Sequence, residues 1–443
     1  GAILLGKYYK IGVTLLEEVN AQAGKTVIPY KKYQLDNGLT LILHEDNSAP
    51  VVTVGVMYHV GAKDEQPDRT GMAHFFEHLL FEGTTNIKKG DWFKIVSSNG
   101  GKNNANTTDD RTYYYEIFPS NNTELGLWME SERLLNPVIK QVGVDTQNEV
   151  VKEEKRLRVD NQPYGRFIEN VKKHIFIKHP YKGTTIGKMK HLDAATLEEF
   201  IAFNKKFYIP NNATLVVAGA IDKTQTKGWI KEYFERIPKG KAITRNLAKD
   251  APITQQINAK AYDPNIQIPA IVEAYRTPSM KTRDSKVLDM ISSYLTIGKS
   301  SILYKKLVDT KKMALQAGAF NLSQEDYGTY VIYALPLGET SLTDLTNEID
   351  VEIKQLQTEL ISEKNYQKLQ NQFENQYVNS NASVEGIANS LARYNVLYGD
   401  TNLINTEIDI YRSITREEIK NVAAKYLNPN QRLILEYLPE QKK

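Results

Sequence analysis

The order of hydrophobic and polar positions repeats in the two halves of the chain. Residues 196–217, TLEEFIAFNKKFYIPNNATLVV, and residues 415–436, TREEIKNVAAKYLNPNQRLILE, align without a gap at an offset of 219. Both stretches predict a threonine N-cap with an acidic first turn, an amphipathic helix, a Pro-Asn turn and a strand. A repeat of this length indicates duplication of a whole domain rather than a solenoid.

The front of each half has a related pattern. The sequence VVTVGVMYHVGAKDEQPDRTGMAHFFEHLL corresponds to IPAIVEAYRTPSMKTRDSKVLDMISSYL at nearly the same offset, and each predicts a strand, a polar turn and a helix. Strands clustered with long helices predict an α+β fold of two homologous sheet-and-helix domains. We expect an N-terminal segment at 1–26, a first domain at 27–236, a polar, breaker-rich linker at 237–256 and a second domain at 257–443.

Composition excludes several classes of protein. The 443 residues carry a net charge of +3, with 56 Lys and Arg against 53 Asp and Glu, and this balance does not predict nucleic-acid binding. No apolar run approaches the roughly 20 residues of a membrane span. With no cysteine, any metal has to be held by histidine and carboxylates.

The N-terminal segment is open to two interpretations. Its Ala-Gln-Ala ending near residue 23 is typical of a signal-peptidase site, which predicts a bacterial periplasmic or secreted protein. Glu17 and Glu18 interrupt the apolar stretch, however, so an amphipathic helix packed on the first domain is the alternative, with the cytoplasm as the alternative location.

The candidate chemistry lies in GMAHFFEHLLF, in a chain with only seven histidines. His74 and His78 are one helical turn apart, so both imidazoles leave the same face and can share an ion. Glu77 lies beside them at an angle suited to holding a water molecule. The alternative is a structural cluster satisfied by its neighbours, but uncompensated buried ionisable groups are costly, which favours a bound cation.

The helix of the second half that corresponds to the histidine helix lacks these ionisable residues. The two histidines also need a third ligand from elsewhere in the chain. The corresponding helix has apolar or aromatic residues where the first half has ionisable ones, at Ile291, Tyr294 and Leu295. A catalytic zinc takes three protein ligands, so a carboxylate on another element is expected. The acidic helical stretch 146–158 offers Glu149, Glu153 and Glu154, and spacing alone does not choose among them.

Several motifs together resemble those of a known family. LDNGLTLIL, GMAHFFEHLLFEGT, NNANTTDDRTYYYEIFP, NEVVKEEKR, HPYKGTTIG and YIPNNATLVVAG cover nearly the whole chain. The chain thereby resembles the inverted-motif zinc peptidases of the pitrilysin and insulinase type, and in particular the catalytic beta-like subunits of the mitochondrial processing peptidase. The resemblance implies the two-domain fold that is shared with LuxS, one zinc per chain, Glu154 as third ligand, and pairing with two further domains around a chamber.

The resemblance also implies further site residues. Asn104 and Ala105 would hold the substrate backbone by edge pairing. Gln147 stands where the family often has an acidic residue supporting the site. In active members, an Arg and a Tyr of the opposite domain contact the substrate, and those places fall here on Val308 and Leu315.

The expected activity is that of a zinc endopeptidase acting on peptides or unfolded segments, with Glu77 as general base. The missing Arg and Tyr predict a partner chain of the same family that carries them but lacks the zinc motif. The alternatives are a non-catalytic structural or peptide-binding subunit and a plain metal-binding module. The physiological substrate and cleavage preference stay open.

Overall fold

The computed structural model describes residues 12–299 and 301–440. These residues form two β-sheets with flanking helices, so the predicted α+β class is confirmed. The chain divides into two compact units with one sheet each. The first unit takes the chain up to Lys152, Thr185–Asn246 and Val378–Thr406; the second takes Glu153–Thr184, Leu247–Tyr377 and the chain from Glu407.

The sheet of the first unit has seven strands in the order β1-β2-β3-β7-β4-β6-β5. Strands β3 and β7 are parallel, and every other neighbouring pair is antiparallel. Strand β5 therefore lies at one outer edge. The strands are β1 (Val13–Val19), β2 (Tyr30–Leu35), β3 (Thr40–Glu45), β4 (Val51–Tyr58), β5 (Lys102–Thr107), β6 (Thr112–Pro119) and β7 (Ala213–Gly219).

The sheet of the second unit repeats five of these strands. Its strands are β8 (Ile257–Asp263), β9 (Ala270–Pro278), β10 (Ala314–Ser323), β11 (Tyr327–Pro336) and β12 (Arg432–Pro439). Their order is β10-β11-β9-β12-β8, with only β12 and β8 parallel. This matches β5-β6-β4-β7-β3 strand for strand, so the predicted internal duplication is present in the topology.

Helices connect and flank the strands. They are α1 (Met72–Leu79), α2 (Asp91–Ser98), α3 (Thr123–Leu135), α4 (Gln141–Lys155), α5 (Phe167–Ile175), α6 (Met189–Ala194), α7 (Leu197–Phe207), α8 (Lys223–Phe234), α9 (Arg283–Thr296), α10 (Leu342–Thr358), α11 (Glu363–Ser380), α12 (Val384–Arg393), α13 (Leu403–Ser413) and α14 (Arg416–Tyr426). The division between the units falls in the last turn of α4, which is one continuous helix.

The repeated helices α7 and α14 begin in the way that their sequences predict. The side chain of Thr196 accepts a hydrogen bond of 3.2 Å from the backbone N–H of Glu199, and Thr415 accepts one of 3.1 Å from Glu418. Each bond satisfies a backbone donor that the first turn of a helix leaves without an intrahelical acceptor. Local sequence alone therefore determines where both helices start.

Each unit is completed by a segment that comes from the other half of the sequence. Helix α12 belongs to the second half, yet its Ile387 and Leu391 lie in one apolar cluster with Ile42 and Val216 of the first sheet. Other helices, including α1 and α7, cover the opposite face of that sheet. The sheet is therefore covered on both faces, which agrees with the burial of every residue of β7.

In the second unit, α5 has the corresponding role. Its Val171 and Ile175 cluster with Val272 and Leu433 of the second sheet. The repeat in the sequence does not predict that α5 and α12 pack on the sheet of the other half. The domain boundaries 27–236 and 257–443 stay a prediction, because the compact units describe packing and not the ancestral repeat.

The stretch near the N-terminus is a strand. Val13–Val19 pairs antiparallel with β2, so the alternative of an amphipathic helix is wrong for these residues. Glu18 lies 3.5 Å from Lys31 and Glu17 lies 4.0 Å from Lys32, which gives both carboxylates cross-strand partners. The first eleven residues of the proposed signal segment lie outside the described residues.

No helix or strand lies between Phe234 and Ile257, where the linker was expected. Among the residues that the structure describes, no helix is both long and apolar enough to cross a membrane.

Candidate metal centre

The helix with the two histidines is anchored at its start by a half-buried carboxylate, that of Glu65. Gly71, the residue before α1, has a φ of +88°, a conformation that favours glycine. The side chain of Glu65 accepts hydrogen bonds from the backbone N–H groups of Gly71 at 3.0 Å and Ala73 at 2.8 Å. Burial raises the pKa of Glu65 well above its usual value, although these two bonds act against the shift.

A second segment of the chain presses against the same helix start. Gly187 has a φ of +72°, and a Cβ placed on it would lie 2.3 Å from the backbone nitrogen of Gly71. A Cβ on Gly71 would lie 2.5 Å from the carbonyl oxygen of Ile186. The Nδ1 atom of His191 lies 2.7 Å from the hydroxyl of Thr70 and accepts its backbone N–H at 3.2 Å. The position of α1 is therefore determined by close backbone packing.

The structure brings His74, His78 and Glu154 together. One potential ligand atom from each residue lies within 4.8 Å of the others. The two imidazole rings are 5.0 Å apart and nearly perpendicular, at 79°. Tetrahedral zinc with bonds of about 2.1 Å needs ligand atoms about 3.4 Å apart, so a small closure of these side chains accommodates the ion. Two imidazoles and a carboxylate are also the donor types that zinc prefers, and the residues fit the metal.

Of the three glutamates that the sequence left open, Glu154 is the one at the histidines. Its side chain is 18% exposed, and its Oε1 lies 3.2 Å from Arg158. The side chains of Glu149 and Glu153 are 78% and 50% exposed and are near Lys152 and Arg156 instead. Helix α4 therefore turns only the last of the three toward α1.

Glu77 is held from the outer strand of the sheet. The hydroxyl of Thr107, the last residue of β5, donates a hydrogen bond of 2.7 Å to Oε2 of Glu77. Arg111 donates to the carbonyl oxygen of the neighbouring Asn106 at 3.2 Å, which fixes the end of the same strand. Burial, helped by the positive charge of Arg393, lowers the pKa of Arg111 to about 10, and Glu77 acts in the opposite direction.

Asn104 and Ala105 lie in the middle of β5. They pair on one side with Tyr115 and Tyr114 of β6. On the other side, no strand of the described chain pairs with them, because β5 ends the sheet. The Asn104 side chain accepts the N–H of Ala105 at 2.9 Å. The predicted substrate strand is thus an open sheet edge, and Thr107 at its end contacts Glu77.

Gln147 contacts Glu82, a residue that the sequence did not single out. Its side-chain amide donates a hydrogen bond of 2.6 Å to Oε1 of Glu82. Glu82 follows His78 by four residues, and this spacing is the only signal that could have pointed to it.

Val308 and Leu315 are placed in the second unit. Val308 lies in a π-helical turn, Tyr304–Thr310, partly buried against the core of that unit. Leu315 is on β10 and is 47% exposed. Neither side chain can donate or accept a hydrogen bond.

Two other histidines have structural partners. His44 is buried, with Nδ1 2.6 Å from the carbonyl oxygen of Pro29. His179 is also buried, with Nε2 2.9 Å from Asp326, and it accepts the N–H of Tyr181 at 3.0 Å. The structure brings neither into the candidate centre.

The duplicated α+β fold and the His-x-x-Glu-His helix facing a glutamate on another helix are features of the inverted-motif metallopeptidases. Family models agree. Residues 40–188 match the model described as insulinase, peptidase family M16, and residues 194–373 match the peptidase M16 inactive domain. The chain belongs to peptidase family M16.

Individual proteins are similar over most of the chain. The zinc protease PqqE of Helicobacter pylori is 28% identical over 97% of this chain and 96% of its own length. The crystal structure of a protease from Helicobacter pylori superposes with a TM-score of 0.87 at 27% identity, covering 92% of this chain and 99% of that one. The periplasmic protease PqqL of Escherichia coli has a similar fold, with a TM-score of 0.76 at 17% identity. That match covers 95% of this chain but 48% of PqqL.

Proposed function

We propose that this protein is a zinc-dependent endopeptidase that hydrolyses peptides or unfolded protein segments. The observation that supports this most directly is the meeting of His74, His78 and Glu154 beside Glu77. The similarity to a protein named as a zinc protease adds support. A plain metal-binding module would not need a carboxylate positioned next to the ligands by a separate strand.

Each residue of the centre has a distinct role in this proposal. His74, His78 and Glu154 hold the metal. A bound zinc ion supplies the Lewis acidity that polarises a peptide carbonyl and acidifies a water molecule. Oε2 of Glu77 accepts the hydrogen bond of Thr107, which leaves Oε1 to take the proton from the attacking water. Glu77 then gives that proton to the amine that leaves.

Substrate would bind along the open edge of β5. The strand that contains Asn104 and Ala105 offers the backbone groups of its open side to an extended peptide, which would add a strand to the sheet. Hydrogen bonds between backbones do not depend on which side chains the substrate carries. This mode of binding therefore suits substrates of varied sequence in an extended, unfolded state.

We further propose that the active enzyme contains a second chain of the same family, without the zinc motif, and that the two chains together enclose one chamber. Two observations support a partner. Val308 and Leu315 lack polar groups at the positions where the family resemblance places substrate-binding Arg and Tyr. PqqL, with the same fold, is about twice as long as this chain. The apolar pair also favours a second candidate function, a non-catalytic peptide-binding subunit.

The proposed location is the bacterial periplasm or the exterior, with the cytoplasm as the alternative. The name of the periplasmic PqqL supports the former, and the absence of cysteine is compatible with it.

The test of the catalytic proposal is Glu77→Gln. This change keeps size and hydrogen bonding but removes the proton acceptor. Zinc content should stay stoichiometric, while peptide hydrolysis falls by a factor on the order of 10² or more. Glu149→Gln, an exposed change on α4, is the control and should leave both quantities unaltered. Unchanged hydrolysis by Glu77→Gln would defeat the proposal. If neither the chain alone nor its mixtures with partner chains of the family hydrolyse peptides in a way that depends on Glu77, the non-catalytic subunit is favoured.

A further inference from the structure

Helices α1 and α4 are linked by a hydrogen bond as well as by the candidate metal ligands. Glu82, just beyond the end of α1, is 8% exposed, and its Oε1 accepts the 2.6 Å hydrogen bond from the amide of Gln147. Its other oxygen lies 3.4 Å from the ammonium group of Lys89. This link involves neither histidine and does not need a metal to form.

The spacing along both helices places this link beside the metal ligands. Gln147 precedes Glu154 by seven residues, which is close to two full turns, so both side chains leave the same face of α4. Glu82 follows His78 by four residues. Helix α4 therefore meets the segment that runs from α1 to Glu82 at two successive levels, one at the ligands and one at Glu82 and Gln147.

A glycine on α4 leaves room for the side chain of Glu82. Gly143 lies one turn before Gln147 on α4, and a Cβ placed on it would lie 3.3 Å from Cγ of Glu82. That distance is tight for a carbon–carbon contact, so a larger residue at this position would displace the side chain of Glu82.

The chemistry of the link requires an amide on one side and a carboxylate on the other. A carboxylate has no N–H to donate, and a second one at 2.6 Å from Glu82 would place two like charges in contact. Gln147 supplies the donor without a charge. In this chain the negative charge of the link therefore belongs to Glu82 on the α1 side, and Gln147 is matched to it.

We propose that Glu82 and Gln147 form a clamp that sets the spacing of α1 and α4 and holds Glu154 opposite the two imidazoles before metal binds. Both are positioning residues. The clamp raises zinc affinity because the ligands then need little rearrangement when the ion arrives. This inference rests on the proposed zinc centre.

The test is the zinc dissociation constant, measured by competition with a chromogenic chelator. Gln147→Ala should weaken zinc binding about 10- to 100-fold. Gln147→Glu should weaken zinc binding at least as much, because the new carboxylate would face the carboxylate of Glu82. The double variant Glu82→Gln with Gln147→Glu reverses donor and acceptor and should recover the parent affinity to within about threefold, which a merely additive pair of changes would not do.

Gln141→Ala is the matched control. Gln141 also lies on α4 and donates to a carboxylate, Asp145, at 2.8 Å, but on the exposed surface. Removing the Gln141 side chain should leave zinc affinity unaltered.

The outcomes separate the clamp from the metal centre. A parent protein without stoichiometric zinc would overturn the centre itself. Stoichiometric zinc in the parent, together with parent-like zinc affinity in both Gln147→Ala and Gln147→Glu, would overturn the clamp alone. If circular dichroism shows that the single variants do not fold, the reversed pair decides: parent-like zinc affinity supports the clamp, and weak binding refutes it.

Discussion

The hydroxyl of Thr107 donates a hydrogen bond of 2.7 Å to Oε2 of Glu77, joining the end of an open edge strand to the helix that carries both histidines. The strand proposed to bind substrate is thus connected directly to the proposed general base. A peptide that pairs with β5 would lie along a strand whose last residue orients the carboxylate that takes part in the chemistry.

Removing this hydrogen bond should slow turnover. Thr107→Val keeps the shape of the side chain but loses the donor, so the Glu77 carboxylate can rotate. We expect kcat to fall about tenfold, since such a bond to a charged group contributes roughly 1.5 kcal/mol, with zinc content unaltered. Thr107→Ser retains the hydroxyl and should restore most of the activity. Parent-like kcat in Thr107→Val would show that Glu77 does not depend on this bond.

Three glutamates on one helix allow a direct test of the third ligand. Glu154→Ala should abolish stoichiometric zinc, because two imidazoles alone leave the ion without its third protein ligand. Glu149→Ala and Glu153→Ala remove the same charge from exposed positions and should retain zinc. Metal analysis of the purified variants measures this. His74→Ala should lose zinc like Glu154→Ala, and full retention in either variant would contradict the assignment.

Two glycines with positive φ differ in their surroundings. Gly187→Ala would force a Cβ to within 2.3 Å of the backbone at Gly71, whereas a Cβ at Gly90, with φ +84°, meets nothing within 4 Å. Gly90→Ala should cost about 1 kcal/mol for the backbone conformation alone. Gly187→Ala should lower the thermal unfolding midpoint considerably more and reduce zinc binding, because α1 must shift. Equal unfolding midpoints for the two variants would contradict the conclusion that close packing of Gly187 against Gly71 determines the position of α1.

A half-buried aspartate in the second unit should make stability depend on pH. Burial raises the pKa of Asp289 to about 6, despite hydrogen bonds from Asn321 at 2.9 Å and Tyr411 at 3.0 Å. The unfolded chain releases this proton at lower pH than the folded one, so stability falls as pH rises from about 4 to about 6.

Asp289→Asn should remove that loss, which amounts to about 3 kcal/mol at neutral pH. The difference in unfolding midpoint between the variant and the parent should therefore grow in the variant's favour from pH 4 to pH 7. Asp309→Asn, an exposed change with the same loss of charge, is the control. A difference that does not vary with pH would show that Asp289 is charged in the folded protein over the whole range.

A partner chain should be needed for full activity. We expect slow peptide hydrolysis by the purified chain and a marked increase when a family member with Arg and Tyr at the positions of Val308 and Leu315 is added. Those groups would supply the hydrogen bonds to substrate that two apolar side chains do not. An isolated chain as active as the mixture would show that other donors do this work.

Much of the candidate site follows from local spacing. The interval between His74 and His78 places both on one face of any helix, and the apolar residues around them predict that the helix is buried. The threonine caps at 196 and 415 determine where their helices begin, and four residues of sequence are enough to show each cap. The duplication is visible because both halves kept the same periodicity, and the shared strand order agrees with it.

What only the tertiary structure decided depends on residues far apart in the chain. Glu149, Glu153 and Glu154 are equivalent in type and lie on one helix, so only the rotation of α4 against α1 selects Glu154. The pairing of Gln147 with Glu82, the hydrogen bond of Thr107 to Glu77 and the packing of α12 on the first sheet arise in the same way. Periodicity along a chain reports which face of an element is buried, whereas the neighbour against which that face packs is set by the fit of whole helices and sheets.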